Sequence, residues 1–80
     1  MINRVQVKMA RAALGWGVRD LASKAGVSAN TVSRYENGAD ALGETLTRIQ
    51  RALEDAGIVV IDADEQGPGV RLRDPNDSRI

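Results

Sequence analysis

Leu21-Ala22-Ser23-Lys24-Ala25-Gly26-Val27-Ser28-Ala29-Asn30-Thr31-Val32-Ser33-Arg34-Tyr35-Glu36-Asn37-Gly38 is the stretch on which the fold turns. Leu21, Ala22 and Ala25 make an inward stripe on a short helix predicted over Val18–Ala25. Gly17 caps that helix weakly, and Asp20 lies near the positive end of its dipole. Gly26 stops it, because a left-handed residue costs glycine nothing. Two residues on, Ser28 is a preferred N-cap for a third helix over Ala29–Glu36, which buries Val32 and Tyr35 at i, i+3 spacing. Asn37-Gly38, a pair tolerant of positive φ, ends it. A short turn of this kind lets two helices cross steeply. A small residue at Ala22 permits the close approach, and Val27 and Val32 lock the turn and the back of the third helix to the core.

Upstream, Asn3 is a predicted N-cap with Gln6 three residues on, a capping-box pattern, and Ile2 before it as half of a hydrophobic staple. Val7, Ala10, Arg11 and Leu14 then share one face of a first helix that Gly15 ends. An arginine on an apolar face either pairs with an acid or snorkels to water. Trp16 is expected over the join of the first two helices, in the core. Downstream, Ala39–Leu42 is a linker. A fourth helix from Gly43 or Glu44 to Ala56 turns Leu46, Ile49, Ala52, Leu53 and Ala56 inward, and Gly57 closes it.

After Gly57 the periodicity changes. Ile58–Asp62 and Gly69–Arg73 read as two strands, with Asp64-Glu65-Gln66-Gly67-Pro68 as the turn. Two strands alone are marginal in water, so they must lie on the helices or be completed by another chain. The predicted fold class is mainly α: a compact four-helix domain over residues 1–57, a β-hairpin extension over 58–73, and a flexible tail over 74–80.

Composition narrows the function. Eleven Lys plus Arg balance eleven Asp plus Glu in 80 residues, yet the charges are not mixed. Residues 1–34 carry Arg4, Lys8, Arg11, Arg19, Lys24 and Arg34 against Asp20 alone, a split that suits a polyanion at one end of the molecule. Chance also produces such splits on helical surfaces. There is no Cys and no His, which removes disulfides, zinc fingers, thiol nucleophiles and any Ser-His-Asp chemistry. One Trp, one Tyr and no Phe leave no aromatic platform for single-stranded bases. Asp62, Asp64 and Glu65 read as a solvated turn rather than a cation loop. Gly67-Pro68-Gly69 lacks the Lys-Ser/Thr sequel of a phosphate loop. No enzyme, metal or cofactor is expected. Ile58–Ile61 is the longest apolar run, far short of the roughly 20 residues that span a bilayer. With no apolar segment after the first basic residues, a cytoplasmic protein is expected.

The run Leu21-Ala22-x-x-Ala25-Gly26-Val27-Ser28-x-x-Thr31-Val32-Ser33-x-Tyr35-Glu36-Asn37-Gly38 resembles the Cro/CI-type (XRE-like) helix-turn-helix family of phage repressors and small bacterial regulators. The resemblance covers about Val5 to Ala56. It implies a lambda-repressor-like bundle whose third helix reads the DNA major groove. By position, the implied base-reading residues are Ala29, Asn30 and Arg34, with Ser33 beside them. Chemistry agrees for two: Asn pairs bidentately with adenine, Arg with guanine. The alternative is that all four form a solvated helix face. Phosphate contacts are expected from Arg19, Lys24, Asn37 and the amides near Gly38, and Thr31 either reaches a phosphate or reinforces its helix cap. Arg19 and Lys24 are equally readable as solvated side chains. The chain departs from the family at Gly17, usually Ser or Thr, and at Val18, usually a phosphate-gripping Gln. The resemblance also implies a partly buried ion pair between Arg11 and Glu36.

The function so implied is sequence-specific binding of double-stranded DNA by a small homodimeric regulator, a repressor acting by promoter occupancy on a palindromic operator. Two surfaces compete for the dimer: the fourth helix with its linker, or the hairpin through Val59, Ile61, Val70 and Leu72, the surface favoured here. The alternatives are the antitoxin of a toxin–antitoxin pair, with the last residues as toxin contact, or a protein-interaction adaptor that no longer binds DNA.

Overall fold

The computed structural model describes residues 1–62 and 67–73 of the chain. Its elements in order are α1 (Arg4–Leu14), α2 (Val18–Ala25), α3 (Ala29–Glu36), α4 (Gly43–Asp55), β1 (Ile58–Ile61) and β2 (Gly69–Leu72). Two of the four helices, α1 and α3, begin at a side-chain cap. Asn3 Oδ1 accepts from Gln6 N at 2.8 Å and Gln6 Oε1 accepts from Asn3 N at 2.9 Å, a complete capping box. Ser28 Oγ accepts from Thr31 N at 3.1 Å to cap α3. The α2 start has only half of this device: Gly17 donates its N–H to Asp20 Oδ2 at 2.8 Å and offers no side chain in return. Leu42, the cap position of α4, offers none either. Gly26 ends α2 at φ 72° and ψ 33°, the left-handed conformation that the α2–α3 turn requires.

Val7, Ala10, Leu21, Ala22, Ala25, Val32, Tyr35, Ile49, Ala52 and Leu53 form the core, joined by Ile2 from the N-terminus and Ile58 from β1. Val32 and Leu21, on the facing sides of α2 and α3, have no exposed surface, with the small Ala22 beside them. Leu46 and Ala56, expected inside, are half-buried at the edge of this cluster. Three expected ends fall one residue early, at Asp55, Ile61 and Leu72. The pairing still continues, since Arg73 N donates to Gly57 O at 2.8 Å.

The hairpin is antiparallel, with Ile58 opposite Leu72, Val59 opposite Arg71, Val60 opposite Val70 and Ile61 opposite Gly69. β2 runs beside α1 and β1 beside α4. Of the two outcomes open to a lone hairpin, it lies on the helices. One side chain fastens it: buried Gln6, 3% exposed, donates Nε2 to Ile61 O at 2.8 Å and to Gly69 O at 3.0 Å, the two members of one cross-strand pair. Gln6 thus caps α1 with its oxygen and holds the hairpin with its nitrogen. The N-terminus is strapped across α4 by Ile2 N, which donates to Gln50 Oε1 at 2.9 Å. Asp64, Glu65 and Gln66 of the expected turn, and the expected tail at 74–80, lie outside the described residues.

Candidate nucleic-acid interface

α3 presents one polar rim. Residues three and four apart share a helix face, and here Asn30, Ser33, Arg34 and Asn37 do so while Val32, Tyr35 and Glu36 turn inward. Asn30 and Arg34 are exposed and Ser33 is half-buried. Among the described residues, the side chains of Asn30 and Arg34 make no hydrogen bond, and neither ion pair involves Arg34. Two groups able to recognise base edges therefore stand unengaged on one face, a helical turn apart. Ala29 differs from them: it is half-buried and packed against the core, so its methyl belongs partly to the bundle.

The expected phosphate-contacting residues divide. Arg19 is exposed on α2. Lys24 lines a shallow cleft with Trp16, Ala52, Asp55 and Ala56, on the flank of α2 that meets α4 rather than beside the α3 rim. Thr31 is spent on its cap, its hydroxyl 2.7 Å from Ser28 Oγ. Asn37 Nδ2 donates back to Ser33 O at 2.9 Å, which uses one of its two N–H groups. The amides of Asn37, Gly38 and Ala39 all donate to carbonyls at the end of α3, so the backbone donors expected near Gly38 are already engaged. Asn37 takes φ −94°, and Gly38 alone takes the positive φ, at 113°. Val18, at the position where the resembled family has Gln, is half-buried against the core.

Arg11 and Glu36 form the expected pair, and more. Arg11 Nε donates to Glu36 Oε2 at 2.6 Å and Nη2 to Oε1 at 2.7 Å, a two-pronged contact. Nη1 donates to Trp16 O at 3.0 Å. One guanidinium thereby joins α1, the α1–α2 turn and the last residue of α3. Glu36 is 5% exposed and the Arg11 side chain 21%, so the acid is the more deeply committed partner. The hydrogen bonds and charge of Glu36 raise the Arg11 pKa above its ordinary value, against a smaller opposing effect of burial. Arg11 does not snorkel. The contact fixes the height of α3 above the bundle.

The hairpin residues expected at a dimer contact fall on both faces of the ribbon. Val70 packs with Val60 against the core, on the face that Ile58 buries. Val59 and Ile61 lie on the other face, opposite Arg71 and Gly69, and Leu72 is exposed at the ribbon's end. Leu42, before α4, is 75% exposed. Among the described residues no helix is long and apolar enough to cross a membrane.

Residues 7–54 match the family model described as helix-turn-helix, more than half of the chain. A comparison with curated proteins found none that matches.

Proposed function

Because the chain belongs to the helix-turn-helix family, one of DNA-binding regulatory domains rather than of enzymes, we propose that it is a sequence-specific, double-stranded DNA-binding regulator that reads the major groove with α3. The observation that carries this reading is the unengaged pair Asn30 and Arg34 on the outer rim of a helix whose other face is locked into the core. Asn30 suits adenine and Arg34 guanine, with Ser33 between them and Ala29 allowing close approach to a thymine methyl. Arg19, exposed on α2, and Asn37, at the end of that rim, supply phosphate contacts in this reading.

Three or four side chains on one groove discriminate weakly, since each good bidentate contact contributes about 1–3 kcal/mol. The reading therefore includes a homodimer on a palindromic operator, acting as a cytoplasmic repressor by occupancy. Val59 and Ile61 of β1 are its favoured contact, because they are apolar, lie on the face opposite Ile58 and belong to a strand with one unpaired edge. A protein-binding adaptor is the second reading, favoured by the half-buried Val18 at a position where the resembled family grips phosphate.

Selection of bound duplexes from a random pool tests both. The regulator reading expects a palindromic consensus and steeply salt-dependent binding. Asn30→Ala and Arg34→Ala should each lose about 1–3 kcal/mol and relax preference at one base position. Failure to enrich any duplex at about 50 mM salt, where electrostatic binding is strong, overturns it in favour of the adaptor.

A further inference from the structure

Arg4 is a basic residue to which the motif gives no role. It is the first residue of α1 and precedes the matched segment 7–54. Its guanidinium carbon lies 5.1 Å from the centroid of the Tyr35 ring, within cation–π range. Its Nη1 sits where a Cβ on Gly38 would come within 3.3 Å, so the bare glycine at the end of α3 makes room for it. Among the described residues no carboxylate neutralises it, the two ion pairs being Arg11–Glu36 and Arg48–Glu44. The cation is held in place by a ring and a glycine, and left charged.

Stability does not account for an arginine there. A cation at the start of a helix opposes the helix dipole, and the first turn of α1 contains no acidic residue to offset it. Position suggests another role. The rim Asn30–Ser33–Arg34–Asn37 runs out at the Asn37-Gly38 turn, beside Arg4. In a helix-turn-helix the N-terminal residues of the recognition helix meet the base edges, so the C-terminal end of α3, at Asn37 and Gly38, is the end directed out of the groove toward the sugar-phosphate backbone. At this corner the backbone amides of residues 37–39 and the Asn37 side-chain amide already donate within the chain. A guanidinium brings up to five N–H donors in a fixed fork, the geometry that suits a phosphate.

We propose that Arg4 is a phosphate-contacting residue, its guanidinium seated on Tyr35 and over Gly38 so as to engage a phosphodiester oxygen where α3 leaves the groove. The proposal rests on the DNA-binding reading of α3 and adds to it a residue outside the motif. Phosphate contact positions the protein without reading sequence. Removing it weakens all duplexes alike, whereas removing a base contact does not.

The test titrates the full chain and Arg4→Gln with two duplexes, one taken from the random-pool selection and one of random sequence, between about 50 and 200 mM salt. Expected are a loss of roughly tenfold in affinity on both duplexes at the lowest salt. The slope of log K against log salt should shrink by about 0.9, the value of one phosphate contact, with the preferred bases unchanged. Thermal unfolding is measured alongside. Arg4→Met, which keeps an unbranched stem over Tyr35, carries the same readout where Arg4→Gln folds poorly. A salt slope equal to that of the unsubstituted chain overturns the assignment of Arg4 while leaving the DNA reading intact. If the unsubstituted chain binds neither duplex, both fall together.

Discussion

The α2–α3 pair and the hairpin both lean on α1, but they are held by different means. α2–α3 is held by caps, a glycine turn, an interlocked apolar contact and one ion pair from α1. The hairpin has one buried face, Ile58, Val60 and Val70, and one buried amide, Gln6, that reaches both of its strands. The first arrangement is redundant, with several independent contacts fixing one rim. The second concentrates its polar anchoring in a single residue. A unit that must present Asn30 and Arg34 at fixed height needs the former; an extension that supplies an apolar strand edge can do with the latter.

The largest expected effect lies where α3 is tied to α1. Arg11→Met strands Glu36, 5% exposed, without its cation. Breaking a buried pair this way costs about 3–5 kcal/mol, measured as a shift of the urea midpoint at constant m-value. Glu36→Gln should cost distinctly less, because the Arg11 side chain, 21% exposed, can turn toward water and keeps Trp16 O as an acceptor. Equal losses from the two variants would show that the acid is not the more committed partner. The sign of the pH effect follows from the raised Arg11 pKa. A raised folded-state value gives stability that is complete below the unfolded-state pKa and disappears only as pH climbs through the folded one. For a guanidinium that window lies far above neutrality, so titration of Arg11 leaves stability flat from pH 6 to about 9.

Next in size is the hairpin anchor. Gln6→Glu keeps an acceptor for Asn3 N, and Glu is as good a capping-box residue as Gln. It also removes both Nε2 donors and sets a carboxylate against Ile61 O and Gly69 O in a buried site. Leaving charged and polar groups so placed costs about 2–3 kcal/mol. Amide hydrogen exchange should show the loss first in β1 and β2, with α2 and α3 still protected. Uniform loss of protection across the chain would instead mean that the hairpin and helices open as one unit.

Legibility in the sequence follows the same division. The α2–α3 unit was readable because its signals are local: Ser28 and Gly26 act within a few residues of where they stand, and Ala22 and Val32 show their side by periodicity. The Arg11–Glu36 pair spans 25 residues and was supplied by family resemblance, not by spacing. The Gln6 anchor spans 55 and 63 residues, and the capping box already gave Gln6 a sufficient local reason, so nothing in the sequence marked its second task. The inward face of the hairpin was likewise left open, Val59, Ile61, Val70 and Leu72 being read as one apolar set. A short apolar strand does not declare which face is inward until its register is known. The corner at Gly38 was misjudged because an amide's availability depends on how a helix ends. Here the last turn of α3 consumes the backbone donors, and Arg4, 31 residues from Tyr35 and 34 from Gly38 along the chain, takes up the space.

Smaller effects compare the two helix starts. Ser28→Ala removes the acceptor for Thr31 N and the partner of the Thr31 hydroxyl, costing about 1 kcal/mol. α2 has the opposite vacancy. Gly17 already sits at φ −80° and ψ 173°, a conformation any residue adopts, and a Cβ there would meet only Asp20 Oδ2, at 3.6 Å. Gly17→Ser can therefore complete the capping box whose other half Asp20 provides, without strain. The expected gain is a few tenths of a kcal/mol, since glycine is itself a tolerable cap. It should appear as a small rise in melting temperature with no change in the salt slope of DNA binding. A gain near 1 kcal/mol would mean that the glycine also leaves the α1–α2 turn too free in the unfolded chain, an entropic contribution separate from the cap. Asp20→Asn separates the two: it weakens the reciprocal half of the box and leaves the backbone freedom at Gly17 untouched.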